Sequence, residues 1–198
     1  LEITRIDMEI NVINSPEEAD FEGCCLNLID LHNIDLSEFA FGRVSAMCGQ
    51  AAFDYIRVSI ELANAGLVEA VATTPINKEA LKAAGVPYIG HTEIFGELTG
   101  TPDPLTMFEV RGLRVFFLTR HVPLREACNM ITKRRIVDYV QRCTQMLKDL
   151  GVTEGTMAIA GLNPHSGEHG LFGDEEVNEI YPAVDALLDM GYDVEGPI

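Results

Sequence analysis

Thr132-Lys-Arg-Arg-Ile-Val-Asp-Tyr-Val-Gln-Arg-Cys-Thr-Gln-Met-Leu-Lys-Asp-Leu-Gly151, then Val-Thr-Glu-Gly-Thr156-Met-Ala-Ile-Ala-Gly-Leu162, then Asn163-Pro-His-Ser-Gly-Glu-His-Gly170: these 39 residues decide the fold. Thr132 stands where an N-cap belongs. Ile136, Tyr139, Val140, Cys143, Met146 and Leu147 then recur at helical spacing, and Gly151 lies just past the end. The run from Thr156 to Leu162 is short and apolar, as a buried strand is, and it empties into a loop of polar residues. Helix, strand and polar loop in that order are the unit of a layered α/β protein.

Working outward, Ile6–Val12 alternates apolar and polar residues, as a half-exposed strand does, and Cys24–Leu31 is a second, weaker strand. Ser37 reads as the N-cap of a helix of nearly thirty residues through Phe39, Val44, Met47, Tyr55 and Leu62, stopped by Gly66. Val68–Ala72 reads as a short buried strand running into Thr73-Thr-Pro-Ile-Asn-Lys78, with a brief helix from Lys78 to Ala84 closing on Gly85. Thr92 reads as the cap of another short helix. Leu105–Val110 and Leu113–Thr119, joined by Arg111-Gly112, predict a hairpin with an unusual first turn residue. The last helix is expected from Asp174 to Met190, kinked near Pro182 and ended by Gly191. The expected fold class is α/β: a layered mixed sheet with helices on both faces and at least one antiparallel hairpin.

Composition excludes several functions. Of 198 residues, 14 are Lys or Arg and 31 are Asp or Glu, a formal charge of −17. Such acidity repels polyanions, and Lys133-Arg134-Arg135 is too short a basic run to recruit nucleic acid or an anionic membrane. No apolar run approaches the ~18 residues of a membrane span, and no secretory signal is visible. Five cysteines, odd in number and without CxxC spacing, read as reduced thiols of a cytoplasmic protein. The chain starts at Leu1 without a methionine and is expected to be part of something longer.

Ligands of α/β sheets gather where strands end and helices begin. Thr73–Lys78, Thr119–Arg125 and Gly161–Glu168 fall at such places, and Gly90-His91-Thr92-Glu93 opens a helix. One isolated histidine is more often a solvated or hydrogen-bonded loop residue than a ligand. His121 and His165, at successive strand ends, make a shared divalent metal about as reasonable as the bland reading. Lys78 at a strand-to-helix turn suits an anion, although a solvated lysine is the commoner case. No GxxxxGK[ST], GxSxG or GxGxxG motif is present, so P-loop, serine-hydrolase and classical dinucleotide readings have no direct support.

Four clusters in register resemble one family. They are Ala72-Thr-Thr-Pro-Ile-Asn-Lys78 with Ala84-Gly85, Gly90-His91-Thr92-Glu93, His121-Val-Pro-Leu-Arg125, and Gly161-Leu-Asn-Pro-His165-Ser-Gly-Glu168 with Gly173-Asp-Glu-Glu176. From about Ser37 to Ile198 the chain is similar to the 4-hydroxythreonine-4-phosphate dehydrogenases, the PdxA enzymes of pyridoxal phosphate biosynthesis. The resemblance implies an isocitrate/isopropylmalate dehydrogenase-like fold, NAD (or NADP) as cofactor and an active site built at a homodimer interface. It implies that His121 and His165 are two of three histidine ligands to a divalent metal (Zn, Mg, Mn or Co). It places His91 and Thr92 in contact with substrate and Lys78 in the pocket, in a role it does not define.

The implied reaction oxidises a secondary alcohol, and the β-keto acid formed then loses CO₂. Thr-Pro-Ile-Asn-Lys is closer to a sister branch acting on erythronate or threonate 4-phosphate. By the same resemblance these 198 residues are the central portion of a two-domain dehydrogenase. An amino-terminal segment, the third metal histidine and most of the NAD site lie elsewhere, so the chain alone is expected not to turn over. The alternative from another class is a non-catalytic α/β remnant that dimerises or binds a small phosphorylated ligand.

Overall fold

A computed structural model describes residues 5–198. They form two compact units that divide between Pro104 and Leu105, each with its own core.

In the first unit, β1 (Glu9–Ile13) pairs in parallel with β2 (Cys25–Ile29), Ile10 opposite Leu26 and Val12 opposite Leu28. The long helix is shorter than its periodicity suggests. It is α1, Ala46–Asn64, capped by Ser45, whose Oγ accepts the Cys48 N–H at 3.4 Å. Ser37 is spent differently. Its N–H and hydroxyl both donate to Asp35 Oδ1, which holds the Asp35 carboxyl below its usual range, and Gly42 then turns the chain at φ +73°. The segment Val68–Ala72 is not a strand: no strand pairs with it among the described residues, and Glu69, Ala70 and Ala72 are exposed. A local apolar pattern cannot create a ladder partner.

Helix α2 (Lys78–Ala83) is capped by Asn77, whose Oδ1 accepts from Ala80 N–H at 2.9 Å, and Gly85 leaves it at φ +75°. It lies so close on α1 that a Cβ at Gly49 would overlap the Ala80 carbonyl. Helix α3 (His91–Leu98) starts two residues earlier than expected. Gly90, not Thr92, is its N-cap, and no side chain caps it. Ile56, Ile60 and Ile94 form the core here, with Phe53 stacked on Tyr88.

The second unit opens with the expected hairpin, β3 (Met107–Val110) and β4 (Leu113–Phe116). Arg111 and Gly112 both take positive φ, 52° and 87°, the turn whose twist matches its strands. Then come α4 (Leu124–Asn129) and α5 (Lys133–Asp149), capped by Thr132 as its sequence indicates. The strand expected over Thr156–Leu162 is paired only at β5 (Met157–Ala158), parallel to β6 (Val194–Glu195). A π-turn, Glu176–Ile180, delivers the chain to α6 (Tyr181–Asp189), so the distortion expected near Pro182 is a widened turn before it. The mixed sheet is present as three two-stranded pieces, two parallel and one antiparallel. Ile136, Val140, Ile180, Ala183, Val184, Leu187 and Val194 make the core. Cys143 sits fully buried on α5, and burial pushes its thiol up to about 12. All five cysteines are free.

Candidate active site

In the first unit the fold brings Lys78, His91 and Glu93 around Gly90. Lys78 is the first residue of α2, which Gly49 seats against α1. Gly90 is buried and extended (φ −173°), and a Cβ placed on it would lie 3.6 Å from Glu93 Oε2 and 3.9 Å from Lys78 Cε. His91 follows, half-buried, with Nε2 shut away from solvent and without a hydrogen-bond partner. Thr92 is exposed in the same turn, and its hydroxyl is released from the capping role expected of it.

A helix start with no side-chain cap leaves backbone N–H groups facing outward. With Lys78 beside Gly90, those groups offer donors to an anion such as a phosphoryl group, with the Glu93 carboxylate at their edge. An orphaned buried nitrogen is costly unless a water or a ligand completes it. Glu93 was readable from sequence only as a favourable first-turn charge; its side chain bounds the niche.

In the second unit His121 and His165 lie beyond β4 and β5 respectively. His121 is exposed, at φ 52°, just before α4. The stretch leading to it is pinned from behind. Tyr139 Oη donates to the Phe117 carbonyl at 2.6 Å, the Arg135 guanidinium donates to the Leu118 carbonyl at 2.8 and 3.3 Å, and Arg120 donates to Thr106 Oγ1. His165 is exposed, with its ring 5.3 Å from that of Phe172 and its N–H donated to Asn163 Oδ1 at 3.0 Å. In sequence Tyr139 belongs to a helix's apolar face, Arg135 to a short basic run and Asn163 to a polar loop; their tasks depend on carbonyls and amides that no sequence pattern marks.

Imidazole nitrogens suit zinc, manganese or cobalt, but a catalytic site needs about three protein ligands. Among the described residues no group of three or more His, Cys, Asp or Glu side chains could hold a metal ion. The residues present therefore do not fit a metal held by this chain alone. A shallow groove of about 570 Å³ beside α5, lined by Lys133, Arg134, Asp138 and Glu179 among others, contains none of these candidates.

Comparison with known proteins places these features in a family. Residues 1–198 match the family model described as "Pyridoxal phosphate biosynthetic protein PdxA". The chain is 58% identical over 196 residues to a protein of Fusobacterium nucleatum named as a D-threonate 4-phosphate dehydrogenase, covering 99% of this chain and 59% of that one. A Symbiobacterium thermophilum protein of the same name is 57% identical over 196 residues, at 99% and 58% coverage. The crystal structure of 4-hydroxythreonine-4-phosphate dehydrogenase from Klebsiella pneumoniae superposes with a TM-score of 0.87 at 39% identity, over 96% of this chain and 57% of that one. A terephthalate 1,2-cis-dihydrodiol dehydrogenase from Burkholderia xenovorans does so less closely, with a TM-score of 0.64 at 25% identity, over 98% and 60%. The chain thus spans somewhat under three-fifths of the length of the relatives it matches, and has the isocitrate dehydrogenase-like α/β fold of those dehydrogenases. By its full-length match and these identities, the chain belongs to the pyridoxal phosphate biosynthetic protein PdxA family.

Proposed function

We propose that this protein, at the length its relatives have, is an NAD-dependent dehydrogenase of a four-carbon hydroxy acid phosphorylated at its far end. The observation that carries this reading is the niche at the start of α3. There Lys78 stands beside Gly90 and the uncapped backbone N–H groups of α3, and the next residue, His91, has a buried Nε2 without a partner. The donors there suit a terminal phosphate, with Lys78 supplying positive charge opposite the Glu93 carboxylate, and exposed Thr92 offers a further hydroxyl.

A bound nicotinamide would serve as hydride acceptor, taking the carbinol hydrogen with its bonding pair as the C=O forms, while the hydroxyl proton would pass to a base. The resulting β-keto acid releases CO₂. His121 and His165 are read as two of three ligands to a divalent cation completed from outside this chain. When bound, such a cation stabilises charge developing on the reacting oxygen. The chain's own part is to bind and orient: Lys78, His91 and Thr92 hold the phosphorylated end, so that binding energy fixes the distant hydroxyl. Homodimer assembly and a cytoplasmic setting belong to the same reading.

The substrate is read first as 4-hydroxythreonine 4-phosphate. A second reading, D-threonate 4-phosphate, is favoured by relatives of that name at 57–58% identity, against 39% for the 4-hydroxythreonine-4-phosphate dehydrogenase structure. Incubating the full-length enzyme with each compound, NAD and Mg²⁺, Mn²⁺ or Zn²⁺, and following NADH absorbance, tests both. Reduction with one substrate selects the branch; no reduction with either refutes the dehydrogenase reading.

A further inference from the structure

Among the described residues Glu176 is the only buried charged side chain, with none of its surface exposed. It begins the π-turn that leads into the apolar face of α6, where Ile180 and Ala183 are buried. A residue there that served packing alone would be apolar, because a buried carboxyl is costly unless its oxygens are used. One of them is used. Oε1 accepts the Leu162 N–H at 2.8 Å. The other, Oε2, is buried without a partner and faces Gly167, where a Cβ would come within 2.6 Å of it.

Leu162 and Gly167 bracket the turn that carries His165. Inside it, Asn163 Oδ1 receives the N–H groups of His165 (3.0 Å) and Gly167 (3.4 Å). The four residues after His165 all have positive φ: Ser166 45°, Gly167 71°, Glu168 43° and His169 57°. Three of them are not glycine, and such a run persists only where its surroundings hold it.

We propose that Glu176 is a positioning residue for His165: its buried carboxyl ties the start of the turn by a hydrogen bond, supports its end by contact, and thereby sets where the imidazole stands. The functional weight of this inference rests on the reading of His165 as a metal ligand; the positioning itself does not.

The test uses the 198-residue chain, without metal, and the variants Glu176→Met, Glu176→Gln and Glu176→Asp. The readouts are the His165 ring Hε1–Cε1 NMR signal, identified by its loss in His165→Gln, and hydrogen exchange at the Leu162 amide. Met fills the volume without an acceptor, so the His165 signal should move and Leu162 should exchange at least tenfold faster. Gln keeps an acceptor for Leu162 and should restore both. Unchanged signals in the Met variant, or a Gln variant as disturbed as Met, overturn the proposal. Should Met fail to fold, Asp decides: it withdraws the carboxyl by one methylene, so an undisturbed His165 refutes the tie and a shifted one supports it. Titration with Zn²⁺ follows. Tenfold weaker binding in the Met variant, with Gln close to wild type, carries the positioning into function. If wild type binds no Zn²⁺, as two ligands without a third allow, the imidazole and amide signals alone decide the role of Glu176.

Discussion

Gly90→Ala separates what the fold needs from what the α3 niche does. On the stability side three effects nearly cancel. The backbone at Gly90 is extended, at φ −173°, a conformation any residue adopts, and the new methyl would meet only the ends of two flexible side chains, at 3.6 and 3.9 Å. Alanine is a poorer N-cap than glycine, by about 0.5–1 kcal/mol. Replacing glycine narrows the unfolded ensemble by a similar ~0.4–1 kcal/mol in the opposite direction. The urea unfolding midpoint should therefore correspond to a change within about 0.5 kcal/mol.

On the binding side the methyl stands between Lys78, Glu93 and the first N–H groups of α3, where a phosphoryl oxygen would approach. Loss of one hydrogen bond to a charged group costs about 1.5–3 kcal/mol, or roughly 10- to 150-fold in affinity. Calorimetric titration of wild type and variant with 4-hydroxythreonine 4-phosphate and with D-threonate 4-phosphate measures this. An affinity unchanged within twofold would show that the phosphate does not use the start of α3. A large loss of stability would show instead that Gly90 is packed more tightly than its contacts indicate.

Gly49→Ala should behave oppositely. Its methyl would overlap backbone atoms of Ala80, which cannot yield, so α1 and α2 must part and stability should fall by about 1–3 kcal/mol in urea unfolding despite better helix propensity. Cys143 keeps its proton in the folded state up to about 12, whereas the unfolded chain releases it near the ordinary value of 9.0. Between those pH values the native state binds more protons, so stability should fall as pH rises, by at most about 1.4 kcal/mol per pH unit. Cys143→Ala should lack that slope, and iodoacetamide should spare Cys143 at neutral pH while modifying exposed Cys24. Two imidazoles without a third ligand should bind Zn²⁺ only weakly, and His121→Ala or His165→Ala should abolish what binding there is. By the same reasoning NADH formation should be absent with the 198-residue chain alone, and robust turnover by it would refute the metal reading.

Much of the local structure was legible in the residues themselves. Thr132 caps α5, Gly151 and Gly191 end their helices, and Arg111-Gly112 turns a hairpin, because caps and turns are settled by neighbours a few positions apart. The clusters around Lys78, His91, His121 and His165 were equally visible, since their types and spacing stand in one stretch of chain each.

Other features waited for the fold. Ser37 looked like a helix cap, and Asp35 takes both its donors instead. Val68–Ala72 had a strand's composition and no strand beside it, whereas Met157–Ala158 is a strand because Val194–Glu195, far along the chain, supplies the ladder. In sequence Glu176 is one of three adjacent acids, Asp174 to Glu176, and only three-dimensional packing shows it sealed beneath the His165 turn. Propensity and capping act over a turn of helix and can be read along the chain. Strand pairing, burial of a carboxyl and an unanswered imidazole nitrogen depend on groups distant in sequence, and those are decided when the chain closes on itself.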